Sequence, residues 1–325
     1  MYQPNRIRER AASAAPMFHS NDKWTLLSCD ADSIIYNVAA TTNNIETAKR
    51  RFVDKALTLH FLADAALSRM HLTPKHCRKA GRFNIIAQKP YQANREPGFF
   101  EDGTPKPSKK PALVEPLRYA VGRGKLLLPP EIEIVFNDVF EADDSVVTEC
   151  TTYGDDAIYY SEDKDLDCLR NRKLCQKTLK VLPALPSSLL GTLELVELSS
   201  SKKVAGRGPL FFWAQMLMGD TADNIKGIIK MHGKLCGPAK TFEELEVFSG
   251  ADSSREADVA RLVLGHYMAI DQNPWPEAWL LWLYPTPSFT FYHYLLSLGV
   301  LDDSELGKWL IKKQAEQWFR VPDSE

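Results

Sequence analysis

The sequence predicts an α/β fold: a largely parallel sheet with helices on both faces. Two observations carry this. Short β-leaning apolar runs alternate with segments of helical periodicity, and clusters of acid follow directly on several of those runs, where sites form in open α/β sheets. The last third is helical in pattern.

The run over 24–29 ends in Asp30-Ala31-Asp32 and leads into a helix through Ile34, Ile35 and Val38. Residues 45–70 read as one long amphipathic helix, with Phe52, Ala56, Leu59, Leu62, Ala66 and Leu67 near helical spacing. After a basic segment come a strand over 132–136, a helix over about 142–151 and a strand near Ile158. Further β structure is expected over 179–182 and 193–198. A helix over 209–218 enters Gly219-Asp220-Thr221-Ala222-Asp223-Asn224, and Gly227, Gly233 and Gly237 mark linked tight turns beyond it. Trp275, Trp279 and Trp282 share a helical spacing, which assigns them to core packing rather than to a base-stacking platform.

With 40 Lys+Arg against 42 Asp+Glu and 44% hydrophobic residues, the 325-residue chain can bury a sizeable core and is far from the disordered regime. Residues 1–22 lack the apolar stretch of a secretory signal and read as a loose tail. The longest uncharged run, 278–301, is interrupted by Pro285, Pro287 and His293, so it reads as buried helices, not a membrane anchor. Six scattered cysteines without C-x-x-C, and seven histidines without H-E-x-x-H, argue for free thiols in a reducing cytoplasm and against zinc.

Near-neutrality hides a segregation of charge. Residues 69–125 hold 13 Lys/Arg and 4 Asp/Glu, whereas 131–167 hold 13 Asp/Glu and one Lys. The basic segment, rich in turn formers and aromatics (Gly98, Phe99, Phe100, Gly103, Pro105, Pro107, Pro111), reads as an excursion from the core suited to phosphates. The acids fall into four clusters: Asp30/Asp32, Glu141/Asp143/Asp144, Asp163/Asp165 and Asp220/Asp223. Gathered by folding, they would repel and raise one another's pKa unless divalent cations neutralised them. Oxygen-only ligands suit Mg²⁺ or Mn²⁺, and two such ions about 4 Å apart are the usual arrangement for phosphodiester hydrolysis. The residues by themselves point to a metal-dependent nuclease.

Four stretches carry a resemblance to a known family: SCDADSIIY (28–36), KPYQANRE (89–96), FEADDSVV with SEDKDLDCL, and MGDTADNIKGI (218–228). In this order and spacing the sequence resembles the superfamily of flap endonucleases and phage 5′ to 3′ exonucleases, most closely those of short-tailed T-odd phages. The resemblance implies a PIN-like nuclease core over 23–205 with a basic arch or clamp at about 72–128, and a helical region over 206–325 with a helix-three-turn-helix. By the same resemblance Asp30, Glu141 and Asp143 would hold a first Mg²⁺. Asp163, Asp165, Asp220 and Asp223 would complete a second, with Mn²⁺ able to replace either, and Asp144 would lie between or just behind them. Asp32 would either reach a metal or cap the following helix.

Tyr91 and Arg95 match the family's Y-K-x-N-R element, in which an aromatic ring and a guanidinium contact the DNA strand. Gln92 departs from it, standing where the family usually has a lysine; Lys89 or Arg82 would substitute. Near Pro74 an aspartate common in relatives is missing. Over 225–243, Lys226, Lys230 and Lys234 would add charge to glycine turns that approach phosphates, with room for a monovalent cation. The implied activity is 5′ to 3′ DNA exonuclease, with 5′-flap cleavage and removal of RNA from RNA:DNA hybrids. It would act as a monomer on double-stranded DNA in the infected cell's cytoplasm, in replication, primer removal and host DNA degradation. Two other readings stand beside it: a haloacid-dehalogenase-like phosphatase using Asp30 as nucleophile, and a DNA-binding relative that has lost catalysis.

Overall fold

The structure is a computed structural model describing residues 24–98, 100–104, 106–107 and 110–320. The tail expected over 1–22, together with Phe99 and Pro105 of the basic segment, lies outside the described residues.

The apolar run after Trp24 forms strand β1 (Leu26–Asp30), buried at every position. Asp30 ends it and caps helix α1 (Ala31–Ala40), its side chain accepting a hydrogen bond from the Asp32 backbone N–H at 3.0 Å. Asn44 caps α2 (Ile45–Leu62) in the same way through Thr47. Here the expectation of one helix over 45–70 is overturned. The helix stops at Leu62, Asp64 turns the chain at φ +48°, and Leu67–Leu72 forms strand β2, parallel to β1 from Leu26↔Leu67 to Asp30↔His71. Leu67 and Met70 fit a helical spacing, but parallel pairing against a buried strand decides their conformation.

Helix α3 (Val114–Gly122) lies within the basic segment, and after it come β3 (Ile132–Phe136), α4 (Ala142–Tyr153), β4 (Ala157–Tyr160), β5 (Arg172–Leu174) and β6 (Val181–Leu182). These make a six-stranded sheet in the order β3-β2-β1-β4-β5-β6, parallel except at β6. The basic segment is therefore not a single excursion: β2 lies inside the sheet, and Val114, Leu117 and Val121 of α3 are buried with residues of α1 and α2. Leu27, Cys29, Ile158 and Tyr160 face that layer, whereas Ala157 and Tyr159 face α4 on the other side, the period of two expected of strands. Glu149 of α4 is tied to the sheet by Ser28 Oγ (2.6 Å), His71 Nε2 (2.8 Å) and Arg69 Nη1 (3.0 Å), fixing that helix over β1 and β2.

A hairpin of β7 (Thr192–Glu197) and β8 (Lys202–Arg207) leads into α5 (Pro209–Met218). Neither β5 nor β8 is anticipated by the sequence reading, since at least half of the residues in each are Lys or Arg. Beyond α5 come a small hairpin of β9 (Lys230–Met231) and β10 (Lys234–Leu235), and helices α6 (Pro238–Leu245), α7 (Glu256–Ala269), α8 (Trp275–Leu281), α9 (Phe291–Ser297) and α10 (Glu305–Gln314). Trp275 and Trp282 are buried and Trp279 packs against the same cluster, so the tryptophans serve the core. Among the described residues no helix is long and apolar enough to cross a membrane.

Candidate active site

The strand order reverses between β1 and β4. β1 leads toward β2 on one side and β4 toward β5 on the other, which opens a crevice at their carboxyl ends. Three of the four acidic clusters stand on segments leaving that edge. Asp30 closes β1, Glu141 and Asp143 begin α4, and Asp163 and Asp165 follow β4. Ser161 stitches the first to the third: its Oγ donates to Asp30 Oδ2 at 2.9 Å and accepts from the Asp163 N–H at 2.9 Å.

The fourth cluster arrives on the loop after α5. Gly219 ends that helix at φ +72°, and Asp220 and Ile225 exchange backbone hydrogen bonds of 2.9 and 2.7 Å. A Cβ on Gly219 would lie 2.3 Å from the Ile225 carbonyl oxygen, and one on Gly227 would lie 2.4 Å from the Gly219 nitrogen. Only glycine permits this closure. The 90–95 segment docks on the same loop. Gln92 N–H donates to Asp223 O (2.9 Å), Asn94 to Thr221 O (2.8 Å), and Asn224 to Pro90 O (2.8 Å).

Cations thread between the acids. Lys164 Nζ lies 3.1 Å from Asp165 and 3.0 Å from Asp220, and Arg95 pairs with Asp223. Lys79 Nζ lies 2.8 Å from Glu141 Oε1 and 2.8 Å from Gln92 Oε1. A cation therefore stands directly against Gln92, and it is Lys79; Lys89 is exposed, and Arg82 reaches Glu141 from a buried position. Lys79 and Lys164 both escape the sequence reading; the isolated Lys164 inside an acidic run was the available signal.

Several expected roles change. Arg82, expected at DNA, is 2% exposed and grips Asp144 with two hydrogen bonds of 2.7 and 2.8 Å, reaching also Glu141 (3.0 Å) and the Trp282 carbonyl (2.7 Å). Its guanidinium thereby links the fully buried Asp144 to Glu141. Tyr91, expected to stack on a base, is 7% exposed, and its hydroxyl donates to Glu141 (2.8 Å) and lies 3.1 Å from Asp223. Gln92 is buried beside it, donating to the Tyr91 oxygen (3.0 Å). The exposed ring here is Phe83, which packs edge-on to Tyr91. Asp32 is not the helix cap, since Asp30 is. Its own carboxylate accepts from Arg118 (2.8 Å) and from the Thr73 N–H (3.1 Å). Lys89, Lys230 and Lys234 are exposed and Lys226 is partly so. A β9–β10 hairpin with its turn at His232-Gly233 stands among the expected tight turns between α5 and α6.

Burial, then the charge of Asp32, pushes the Asp30 carboxyl up to about 7 against the relief given by Ser161. Burial raises Asp143 well above the carboxylate range, with Glu141, Asp144 and Asp30 adding to it. It does the same for Asp165, with Asp163 adding, and to a smaller extent for Asp223 despite Arg95. Burial opposes ionisation of Glu141 and Asp220 too, but Arg82 and Lys79 hold the first below its usual range and Lys164 the second. This donor set fits hard divalent cations: all oxygens, brought in on four segments, with burial and neighbouring carboxylates opposing the ionisation of several. A groove of about 520 Å³ opens beside Asp163 and Lys164, with the half-exposed ring of Tyr36 and Lys203 also on its walls.

No protein-family model and no curated protein matches the sequence. Among solved structures, the chain is similar to the bacteriophage T5 D15 flap endonuclease in a pseudo-enzyme–product complex with DNA and metal ions. That likeness has a TM-score of 0.50 at 12% identity, over 89% of this chain and 98% of that one. Similarity extends to the T5 D15 protein co-crystallised with metal ions (TM-score 0.49, 12% identity, 89% and 98% covered) and to a mutant T5 5′-exonuclease (0.44, 12%, 90% and 98%). The α/β core with its largely parallel sheet and the helical C-terminal part are thus similar in fold to the T5 D15 flap endonuclease.

Proposed function

We propose that the chain is a metal-dependent nuclease that hydrolyses DNA from 5′ ends and cuts 5′ flaps. The observation that carries this reading is the convergence of Asp30, Glu141, Asp143, Asp163, Asp165, Asp220 and Asp223 around the β1–β4 crevice, with mutual repulsion that calls for bound cations.

Asp30, Glu141 and Asp143 would hold one Mg²⁺, and Asp163, Asp165, Asp220 and Asp223 a second. Bound there, the ions supply an activated water and neutralise charge on the phosphate during in-line displacement. The chain's own residues do the rest. Arg82 and Asp144 set the position of Glu141 from below, and Tyr91 bridges Glu141 to Asp223. Lys79 and the half-exposed Arg95 stand ready to exchange a carboxylate for a phosphate oxygen. Lys89, Lys226, Lys230 and Lys234 track the backbone, and Phe83 and Tyr36 offer exposed rings to unpaired bases.

The products would be 5′-phosphate and 3′-hydroxyl ends, and RNA in RNA:DNA hybrids would be a substrate. In an infected cell, a phage-encoded enzyme of this kind would remove primers and degrade host DNA. The deciding experiment is cleavage of end-labelled duplex and flap DNA with Mg²⁺ and with EDTA. Metal-dependent release of short 5′-labelled products supports the reading, and products of the opposite polarity overturn it.

A further inference from the structure

We infer that His232, Glu244 and His266 form a second metal site, for Zn²⁺, apart from the carboxylate centre. His232 stands at the tip of the β9–β10 hairpin, Glu244 near the end of α6 and His266 on α7. Both imidazole Nε2 atoms converge on one carboxylate: His266 at 2.8 Å from Oε1, His232 at 3.4 Å from Oε2. One ligand atom from each residue lies within 4.8 Å of the other two, and the rings meet edge-on with centroids 5.0 Å apart.

The chemistry of this set differs in kind from that of the crevice. Two imidazoles and a carboxylate suit Zn²⁺, which binds nitrogen at about 2.0–2.1 Å in tetrahedral sites, whereas Mg²⁺ prefers oxygen alone. Glu244 and His266 are largely buried and His232 is exposed, so the three would leave a fourth position open to solvent. Cys236 is not a ligand here; its Sγ shares a hydrogen bond with Thr241 Oγ1 at 3.4 Å. The three residues are spread over a turn and two helices, so no spacing motif announces them. A bound ion would pin the hairpin, and with it Lys230 and Lys234, to α6 and α7.

The test is titration of the untagged, metal-free full chain with Co²⁺ as a coloured substitute for Zn²⁺, in excess Mg²⁺. One equivalent should give visible d–d bands without a thiolate-to-cobalt band, and Zn²⁺ should displace it. His232→Ala, an exposed position that leaves the fold intact, should weaken binding about tenfold or more, as should Glu244→Gln. Asp163→Asn should leave the bands unchanged. Absence of the bands, their persistence in His232→Ala, or their loss in Asp163→Asn overturns the assignment.

Discussion

Lys79 Nζ lies 2.8 Å from Glu141 Oε1 and equally far from Gln92 Oε1, so one lysine from the turn after β2 joins the start of α4 to the 90–95 segment. Its side chain is only 17% exposed and is held over Phe83 and Tyr91, and in the proposed reaction its charge would act on the phosphate. Lys79→Ala should lower the single-turnover cleavage rate on the order of 10²-fold, the cost of one preorganised charge, while DNA affinity changes little. Gln92→Lys in that background should restore part of the rate. An unchanged rate in Lys79→Ala removes this lysine from the chemistry.

Arg82 is buried and pairs with the fully buried Asp144. Arg82→Ala strands Asp144 as a buried, unpaired carboxylate and should cost about 3–5 kcal/mol in denaturant unfolding. Arg82→Met with Asp144→Leu removes both charges and should recover much of that loss. A double variant no more stable than the single one would mean that the pair's geometry, not its charge, is what matters.

The crowded carboxyls contribute to the pH response of the metal-free protein with an inverted sign. The Asp30 carboxyl is pushed up to about 7 in the folded state against an ordinary 3.8, so it binds more proton folded than unfolded across that window. Its contribution to stability therefore falls as pH rises from about 4 to about 7, and Asp143 and Asp165 act in the same direction. Thermal unfolding in EDTA of the wild type against Asp30→Asn isolates this contribution: the stability of the wild type relative to the variant should fall as pH rises, and Mg²⁺ should raise wild-type stability most at the high-pH end. A relative stability that rises with pH in EDTA contradicts the crowding.

How much of this was legible in the sequence follows from what each residue depends on. Three of the acidic clusters were readable because each follows the apolar run of a strand, and a parallel sheet brings such ends to one edge; the fourth follows the apolar helix α5 instead. Strand β2 was not, because Leu67 and Met70 extend the helical spacing of α2 and only pairing with β1 separates them. Nor were the burials of Arg82 and Tyr91: their side chains end among Trp282, Asp144 and Asp223, residues remote in sequence. A motif names a residue type but not its exposure. Lys79 lay hidden for the same reason, one cation among 13 in a basic segment.

Gly219 and Gly227 meet backbone to backbone, so Gly219→Ala must open the loop that carries Asp220 and Asp223. The expected loss is about 1–3 kcal/mol of stability from the strained conformation alone. Cleavage should fall further than stability, because the second set of acids moves. Full activity in a folded Gly219→Ala protein would separate that loop from the site.

Lys230 and Lys234 are exposed on the hairpin strands. Alanine at either should weaken DNA binding across all sequences and reduce the slope of log K against log salt by about one for each phosphate no longer neutralised. A binding affinity that does not vary with salt would contradict the role given to these lysines.

In the proposed function the gathered carboxylates cut DNA from its 5′ end with the help of bound metal. The most direct test is cleavage of duplex DNA labelled at one 5′ or one 3′ end, with Mg²⁺ and with EDTA, by the wild type and by Asp163→Asn. Short 5′-labelled products should be released early, only with metal, and should be abolished by the substitution while DNA binding persists. Cleavage that survives EDTA or Asp163→Asn would contradict it, as would intact DNA alongside turnover of a small phosphate ester.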